Sequence, residues 1–237
     1  MKLPFFFLMA CMSFSVSLFS QSMKASKKDS VLKIKKVDDF EVSGRGTAKE
    51  WAGTGWVSLT KMKGNVEYQS QFKMVYSATG VYCLFFCEDE KITSTLKQDF
   101  TDIYNEDVVE VFFWTDESSP IYFEYELSPY NFELPILVPN YKGDFFGWAP
   151  WHYEGERKTR HAAFIAEENN KPKSWTAEFF IPYALLKPLR NVPAQKGMRW
   201  RANFYRIDYD KGSTYWTWKP VRTNFHDYEK FGVIEFE

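Results

Sequence analysis

Three glutamates on two predicted strands are the residues whose type and spacing could do chemistry in this chain. Alternation along residues 107–114 places Glu110 on a face with apolar neighbours, and residues 122–127 carry Glu124 and Glu126 on one face. A carboxylate among apolar side chains needs a partner. Either Glu110 forms a structural ion pair with an arginine, or these carboxylates line a concave surface and accept hydrogen bonds from a ligand.

A third predicted strand, residues 200–208, supplies groups that suit the second interpretation. Its alternation places Asn203 and Tyr205 on one face and Arg206 on the other. A fork-shaped guanidinium and a two-oxygen carboxylate both match vicinal hydroxyls, which donate and accept hydrogen bonds. Arg206 and Asn203 are therefore expected to bind sugar hydroxyls together with Glu110.

Aromatic residues near predicted loops are the second feature that points to a sugar. Tyr104, Trp148, Trp151 and Phe225 all lie beside turn-forming residues. The C–H patches of a sugar ring stack on aromatic faces, while its hydroxyls need polar neighbours. The alternative is that these rings cover an edge of the core, because an aromatic group in a loop does not by itself mark a site.

Other chemistries have weaker support in the sequence. Glu110 with Glu124 or Glu126 could act as the carboxylate pair of a glycoside hydrolase. Oxygen ligands for calcium could come from Asp89 with its glutamate neighbours, or from Asp99 and Asp102, although solvated acidic loops look the same. The spacing of the histidines does not match a zinc-binding helix, and the chain has no P-loop or GxSxG motif.

Composition sets the structural class that must position these residues. Aromatic residues make up 19% of the 237-residue chain, which excludes a disordered protein and favours pleated sheet over helical bundles. Thirty basic residues against 31 acidic ones give a net charge of −1. Nothing in that balance would attract nucleic acid, so a nucleic-acid partner is not expected.

Short alternating segments separated by turn residues run along most of the chain. They predict an all-β protein, an antiparallel β-sandwich with Greek-key type connections. One helical turn is expected at residues 182–186. Residues 129–160 contain prolines, a Gly-Asp turn and many aromatics, and we interpret them as one long functional loop. Strands are expected at these positions: 72–76, 81–87, 107–114, 122–127, 162–166, 175–181, 200–208, 215–218 and 232–236.

The N-terminus predicts export. Residues 1–20 have a basic start, a short apolar run and small residues, as in a signal peptide, and the apolar run is too short to span a membrane. Residues 21–30 form a polar tether, and residues 31–237 form the domain. Lipidation of Cys11 is an alternative that would anchor the protein. Either way the expected location is the periplasm, the outer-membrane surface or the extracellular space.

Cys83 and Cys87 are the cysteines that remain after such processing. They lie four residues apart on one predicted strand, about 13 Å along it, too far for a disulfide. We expect both to be buried thiols.

Three segments resemble a known family. Residues 105–112 read NEDVVEVF and resemble the x-x-D-x-V-E-V/I-F strand of family 9 carbohydrate-binding modules. Residues 200–206 read WRANFYR and resemble the W-R-x-N-F-x-R strand of secreted bacterial family 9-like proteins. Residues 216–220 and 225–232, WTWKP and FHDYEKFG, resemble the closing motif of those proteins, so that the resemblance extends from about Val31 to Glu237.

This resemblance implies a DOMON-like β-sandwich that binds the end of a sugar chain between two aromatic rings, with structural calcium nearby and no catalysis. By motif position the rings fall on Tyr104 and Phe225, the sugar-bonding glutamate falls on Glu110, and a polar contact falls near Tyr205. Trp218 lies in the closing motif and is also expected to contact the sugar. The sequence departs from the family where it has Tyr and Phe in place of clamp tryptophans, Glu124 at the position of an arginine, and Tyr228 in place of a proline.

The sequence therefore predicts a secreted, non-catalytic protein that binds poly- or oligosaccharide by aromatic stacking and by hydrogen bonds from Glu, Arg and Asn. A glycan-active hydrolase or lyase is the alternative. A haem-binding domain is a third reading, because DOMON-like sandwiches also host haem; His226 or Met74 would then be the axial ligand.

Overall fold

The structure is a computed structural model and describes residues 31–142 and 144–237. The predicted signal peptide, the tether and Cys11 lie outside these residues. The described chain forms 15 strands: β1 Leu32–Lys36, β2 Val57–Ser58, β3 Thr60–Lys63, β4 Ser70–Tyr76, β5 Gly80–Glu88, β6 Val108–Trp114, β7 Ile121–Leu127, β8 Glu133–Tyr141, β9 Asp144–Phe145, β10 Ala149–Pro150, β11 Arg160–Glu168, β12 Lys171–Pro182, β13 Arg199–Asp208, β14 Thr214–Thr217 and β15 Gly232–Phe236.

Helical structure is confined to short turns. The predicted helical turn is confirmed as α1, Tyr183–Leu186. Single 3-10 turns lie at Lys49–Gly53, Ile103–Asn105, Gly155–Arg157 and Tyr228–Lys230. None of the helices in the described part of the chain has the length and apolar composition that crossing a membrane requires.

The strands form a sandwich, as predicted. Sheet A has the order β10-β8-β7-β6-β13-β15-β1, and sheet B has the order β1-β4-β5-β12-β11. Among the strands of these two orders, the chain passes from one sheet to the other after β5, β10 and β12, as in Greek-key sandwiches. One departure is β1, which pairs in parallel with β15 through Leu32–Ile34 and in parallel with β4 through Lys35 and Lys36.

Aromatic side chains fill the space between the sheets. Phe72 from sheet B stacks on Phe204 from sheet A with ring centroids 3.8 Å apart, and Phe85 lies beside Phe179 at 6.0 Å. The expectation for Cys83 and Cys87 is confirmed, because both are buried free thiols in this core. Alternation then points every second residue of β6, β7 and β13 away from the core, toward the outer face of sheet A.

The prediction of one long loop over residues 129–160 is wrong, because its first half forms β8. Two prolines in this strand are more typical of a loop, so the sequence did not indicate it. The carbonyls of Pro135 and Pro139 accept hydrogen bonds from the backbone N–H groups of Trp151 and Phe146, on the side away from β7. Since N–H and C=O of one residue point to the same side in an antiparallel strand, the missing proline donors leave the β7 ladder intact. The rest of the segment carries β9, β10 and a 3-10 turn.

Candidate functional site

A cavity of about 440 Å³ lies on the outer face of sheet A. That volume is in the range of ligand pockets. Its floor comes from the central strands β6, β7 and β13, and its walls come from the connecting segments. Aromatic rings surround it: Tyr104, Phe145, Trp148, Tyr209, Tyr215 and Phe225. The polar or charged residues that line it are Lys63, Asn105, Glu110, Glu124, Thr223, Asn224 and His226.

Tyr104 forms one wall and is held from two sides. It lies in the 3-10 turn that leads into β6, where its backbone carbonyl accepts a hydrogen bond from the Tyr209 hydroxyl at 3.0 Å. Trp148 meets the Tyr104 ring edge-on, with centroids 6.1 Å apart and planes at 80°. Trp148 thus lies in the pocket wall beside Tyr104, and both rings are only partly buried.

Phe225 forms another wall, and β13 supports it. Tyr205 stacks under the Phe225 ring with centroids 3.9 Å apart and planes at 14°, and its hydroxyl donates to the Phe225 carbonyl at 2.9 Å. The Asn203 amide donates to that hydroxyl at 2.7 Å. Tyr205 therefore occupies one face of Phe225. The buried Asn203 lies outside the pocket lining, where it positions Tyr205 and does not meet a ligand directly.

The three glutamates lie on the outer face of sheet A, where Glu110 and Glu124 line the pocket and Glu126 lies outside its lining. Glu110 on β6 stands directly opposite Glu126 on β7, and Glu124 stands opposite Phe112. All three are at most 4% exposed. The structural-pair interpretation of Glu110 fails, because no Lys or Arg forms an ion pair with any of these glutamates within residues 31–142 and 144–237.

These glutamates are buried without a cationic partner, and this raises their pKa values. Desolvation raises the pKa of Glu110 to about 8, and it raises the pKa of Glu124 and Glu126 well above the ordinary value, with charge repulsion among the three as the next cause. The floor is therefore a set of carboxyl groups that retain protons near neutral pH. Such a set can both donate and accept hydrogen bonds.

His226 completes the pocket next to Glu124. Its Nδ1 shares a hydrogen bond of 2.6 Å with the Tyr122 hydroxyl, and Phe145 stacks on its ring at 4.4 Å. Burial lowers the pKa of His226 to about 4, so the ring is neutral near pH 7. Met74, the other haem-ligand candidate, is buried in the core between the sheets. The two therefore lie on opposite sides of sheet A and do not face one common site.

Arg206, Trp151 and Trp218 do not meet Glu110 at this pocket, contrary to expectation. Arg206 points from β13 into the core, where its guanidinium donates to Asp89 at 3.2 Å and Asp208 at 2.7 Å. Trp151 and Trp218 pack against the same core. The physical reason is the alternation of β13, which turns Arg206 away from the face that bears Tyr205.

A cluster of carboxylates beside Arg206 could hold a cation. Oxygen atoms of Asp89, Asp107 and Asp210 lie within 4.8 Å of one another. Desolvation raises the pKa of Asp89 to about 7 and that of Asp107 to about 8. Arg206 forms ion pairs with Asp89 and Asp208, so this group of four carboxyl groups contains one arginine. Hard oxygen ligands in this number suit calcium. Asp99 and Asp102, the other pair considered from the sequence, are not part of the cluster.

Several pocket residues were not predicted from the sequence. Tyr209 and Tyr215 flank the turn between β13 and β14, and Phe145 follows the Gly-Asp turn. Aromatic residues at turn positions were a signal that could have identified them. Lys63, whose ammonium lies 4.3 Å from the centre of the Tyr215 ring, had no such signal.

The fold has solved relatives. A Bacteroides uniformis protein described as a candidate carbohydrate-binding protein superposes with a TM-score of 0.72 at 16% identity, over 87% of this chain and 99% of that one. A family 9 carbohydrate-binding module from Caldicellulosiruptor kristjanssonii in complex with cellotriose superposes with a TM-score of 0.63 at 13% identity, over 88% of this chain and 94% of that one. The same source provides a glucose complex, with a TM-score of 0.61 at 14% identity over 86% and 95% of the two chains.

Sequence comparison agrees with the fold. A protein of Arthroderma benhamiae named "Extracellular protein" is 27% identical over 184 residues, 71% of this chain and 78% of that protein. The sequence profile described as "Carbohydrate family 9 binding domain-like" matches residues 42–237. The chain therefore belongs to the carbohydrate family 9 binding domain-like family.

Proposed function

We propose that this chain is a non-catalytic carbohydrate-binding protein and that the pocket on the outer face of sheet A is its sugar site. The observation that carries the proposal is the position of Glu110 on the floor of a pocket whose walls include Tyr104 and Phe225. Aromatic walls match the C–H faces of a sugar ring, and carboxyl groups below them match its hydroxyls. The cellotriose and glucose complexes of the Caldicellulosiruptor module, a relative by fold, support a glycan as the ligand class.

The test is binding of glycans to the purified protein. A glycan array identifies ligands, and isothermal titration calorimetry measures their affinity. Trp56→Ala serves as a control, because Trp56 is 40% exposed beside Phe86 of sheet B and does not line the pocket. We expect binding by the wild type and by Trp56→Ala. Absence of binding across plant, fungal and bacterial glycans would overturn the proposal.

A hydrolase or lyase is the competing function, and it makes a distinct prediction. Domains of this family are generally non-catalytic. In addition, Glu126 does not line the pocket and Glu124 lies among apolar residues next to a neutral histidine. A retaining or inverting hydrolase needs one ionised carboxylate and one protonated acid, both in contact with the glycosidic bond. Release of reducing ends or unsaturated products from a bound glycan would favour the enzyme.

We further propose that Asp89, Asp107 and Asp210 hold a structural calcium ion. Two of these side chains are fully buried, and four carboxylates against one arginine leave an excess of negative charge. A bound divalent cation would neutralise that excess. The cluster lies near the start of β6 and the end of β13, so the ion would stabilise the strands that carry Glu110 and Tyr205.

We also propose that the protein is exported. The charged start, apolar run and small residues of the first 20 positions support a signal peptide, and the name of the Arthroderma relative supports an extracellular location. N-terminal sequencing of protein recovered from the native host's envelope and medium tests this. A start near residue 21 supports cleavage by signal peptidase, whereas a modified Cys11 at the N-terminus supports a lipoprotein.

A further inference from the structure

The floor of the pocket contains acceptor groups that the protein itself does not satisfy. Oε2 of Glu124 and both carboxyl oxygens of Glu126 are buried, and apart from each other's carboxyl group they have no hydrogen-bond partner among the described residues. Glu124 is 4% exposed and lines the cavity, and Glu126 lies behind it with no exposed surface. Buried polar atoms without partners are destabilising. A ligand that donates hydrogen bonds at this position would satisfy them, and this would contribute to its binding free energy.

Nearby cations of the protein do not fill this role. His226 places Nδ1 3.9 Å from Oε2 of Glu124, yet that nitrogen is engaged with the Tyr122 hydroxyl, and burial keeps the ring neutral. Lys63 on the rim lies over the Tyr215 ring and forms no ion pair with the glutamates. Within the described residues the floor thus has three carboxyl groups and no positive partner.

Once a ligand displaces protons from these carboxyl groups, a positive charge is a better match for the floor than a hydroxyl. An ammonium group offers three donors and no acceptor, whereas a hydroxyl offers one donor. Hydrogen bonds between an ammonium and a carboxylate are also about twice as strong as neutral ones. The ring faces of Tyr104, Trp148 and Phe225 in the walls would in addition attract a cation through their electron-rich faces.

We propose that the preferred ligand of this pocket is a glycan built from amino sugars with free amines, whose ammonium group sits against Glu110 and Glu124 while its ring packs on Tyr104 and Phe225. This inference rests on the proposed function, because it assigns a ligand class to the same sugar site.

Titration calorimetry with three matched oligosaccharides tests this. Fully deacetylated chito-oligosaccharide carries the amine, its N-acetylated form carries a neutral amide, and cello-oligosaccharide of equal length carries a hydroxyl. We expect the dissociation constant of the deacetylated form to be at least about tenfold lower than that of either other form. If the neutral forms bind equally well or better, the inference is wrong while the proposed function stands. If none of these or other glycans binds, both fail.

Proton release provides a readout that is independent of affinity. Seating an ammonium against protonated carboxyls should expel protons, so the binding enthalpy should differ between two buffers of different ionisation enthalpy. The other titratable groups facing the trio are Asp102 and the phenols of Tyr104, Tyr122, Tyr205 and Tyr209, together with His226 and Lys63. Burial raises the pKa of those phenols, so they stay protonated throughout. The binding enthalpy of a neutral sugar should not depend on the buffer. If the binding enthalpy of the amino sugar is also independent of the buffer, the inference is contradicted.

Two substitutions distinguish the effect of a carboxyl group in the pocket floor from the effect of a carboxylate elsewhere on the protein. Glu124→Gln keeps the shape but cannot ionise when the ammonium group binds, and we expect the preference for the deacetylated sugar to fall about tenfold. Glu41→Gln removes a charge from a side chain that is 91% exposed and far from the pocket lining, and the preference should persist. Thermal unfolding confirms that each variant folds. An unchanged preference in a folded Glu124→Gln variant would contradict the inference.

Discussion

Tyr205 lies face to face beneath Phe225 at 3.9 Å and also donates a hydrogen bond to its backbone carbonyl, so one residue fixes both the ring and the chain of the other. Only the second face of Phe225 is left for a ligand. The loop that carries Phe225 is therefore anchored to a central strand of sheet A. Substitutions can therefore measure the contribution of the Phe225 ring to binding separately from the contribution of the Tyr205 hydroxyl that anchors it.

Removing the Phe225 ring should abolish stacking directly. Phe225→Ala is expected to weaken binding of the best glycan by roughly tenfold, the size typical for loss of a buried aromatic anchor. Tyr205→Phe keeps the supporting ring and removes the hydroxyl, so its loss should be smaller. Calorimetry on both variants checks this order, and an equal or greater loss in Tyr205→Phe would show that the Phe225 ring is not the contact.

Tyr104 and Tyr209 allow a similar comparison on another wall of the pocket. The Trp148 ring meets Tyr104 edge-on, and the Tyr104 backbone is held by the Tyr209 hydroxyl. We expect Tyr104→Ala to lower affinity by about tenfold, and Tyr209→Phe to lower it less because only the backbone anchor is lost. Trp56→Ala on sheet B is the control and should bind as the wild type does. Wild-type affinity in Tyr104→Ala would remove this wall from the site.

The carboxyl groups of the floor predict how stability depends on pH. Burial raises the pKa of Glu126, so between its ordinary pKa and its raised pKa the native chain holds a proton that the unfolded chain has lost. The free energy of unfolding therefore falls as pH rises through this window. Glu126→Gln cannot lose a proton, and it should be about 1–3 kcal/mol more stable than the wild type at pH 8.

The same variant should nearly match the wild type at pH 4, where the glutamate is protonated in both states. Urea unfolding at a series of pH values, without ligand, measures the difference. A stability difference that does not change with pH would mean that folding does not raise the pKa of Glu126.

The aspartate cluster predicts a response to calcium. Calcium in 100-fold excess over its dissociation constant should stabilise the wild type by about 2.7 kcal/mol, seen as a rise in melting temperature that EDTA reverses. Asp107→Asn should lose most of that rise. The exposed Asp38 provides the matched control, and Asp38→Asn should respond like the wild type. Equal responses in all three proteins would place calcium elsewhere or exclude it.

One buried glutamate outside the pocket should affect stability without affecting binding. Glu178 accepts hydrogen bonds from the backbone N–H and hydroxyl of Ser43, from the N–H of Gly46 and from Nε1 of Trp51. It thereby holds the segment that covers the outer face of sheet B. Glu178→Ala should cost about 3 kcal/mol or more, because it leaves several buried donors unpaired. Glycan affinity measured below the unfolding transition should stay unchanged.

Alternation explains both what the sequence could predict about these strands and the main error. It placed Glu124 and Glu126 on one face of their strand, and it separated Arg206 from Tyr205. Alternation cannot show which side of a strand faces the core when both sides carry large aromatic residues, as in β13. Arg206 was therefore grouped with Glu110 although it faces the opposite way, toward Asp89 and Asp208.

Strand β8 was missed for a different reason. Pro135 and Pro139 are usually signs of a loop, and their tolerance depends on having their missing donors on the side away from β7. That geometry exists only once the neighbouring strand is known. The pocket wall from Phe145 to Trp148 depends on β8 for its position, so it could not be placed from the sequence either.

The shared strand β1 has a mechanical consequence. It runs parallel to β15, so residue 31 lies at the start of one strand and residue 237 follows the end of its neighbour. Tension applied at these two points pulls the strands along their length in opposite directions and loads their hydrogen bonds simultaneously, in shear. Because β1 also continues into sheet B, releasing it opens both sheets at once. The domain is therefore built to resist force when it is held at one end and pulled at the other.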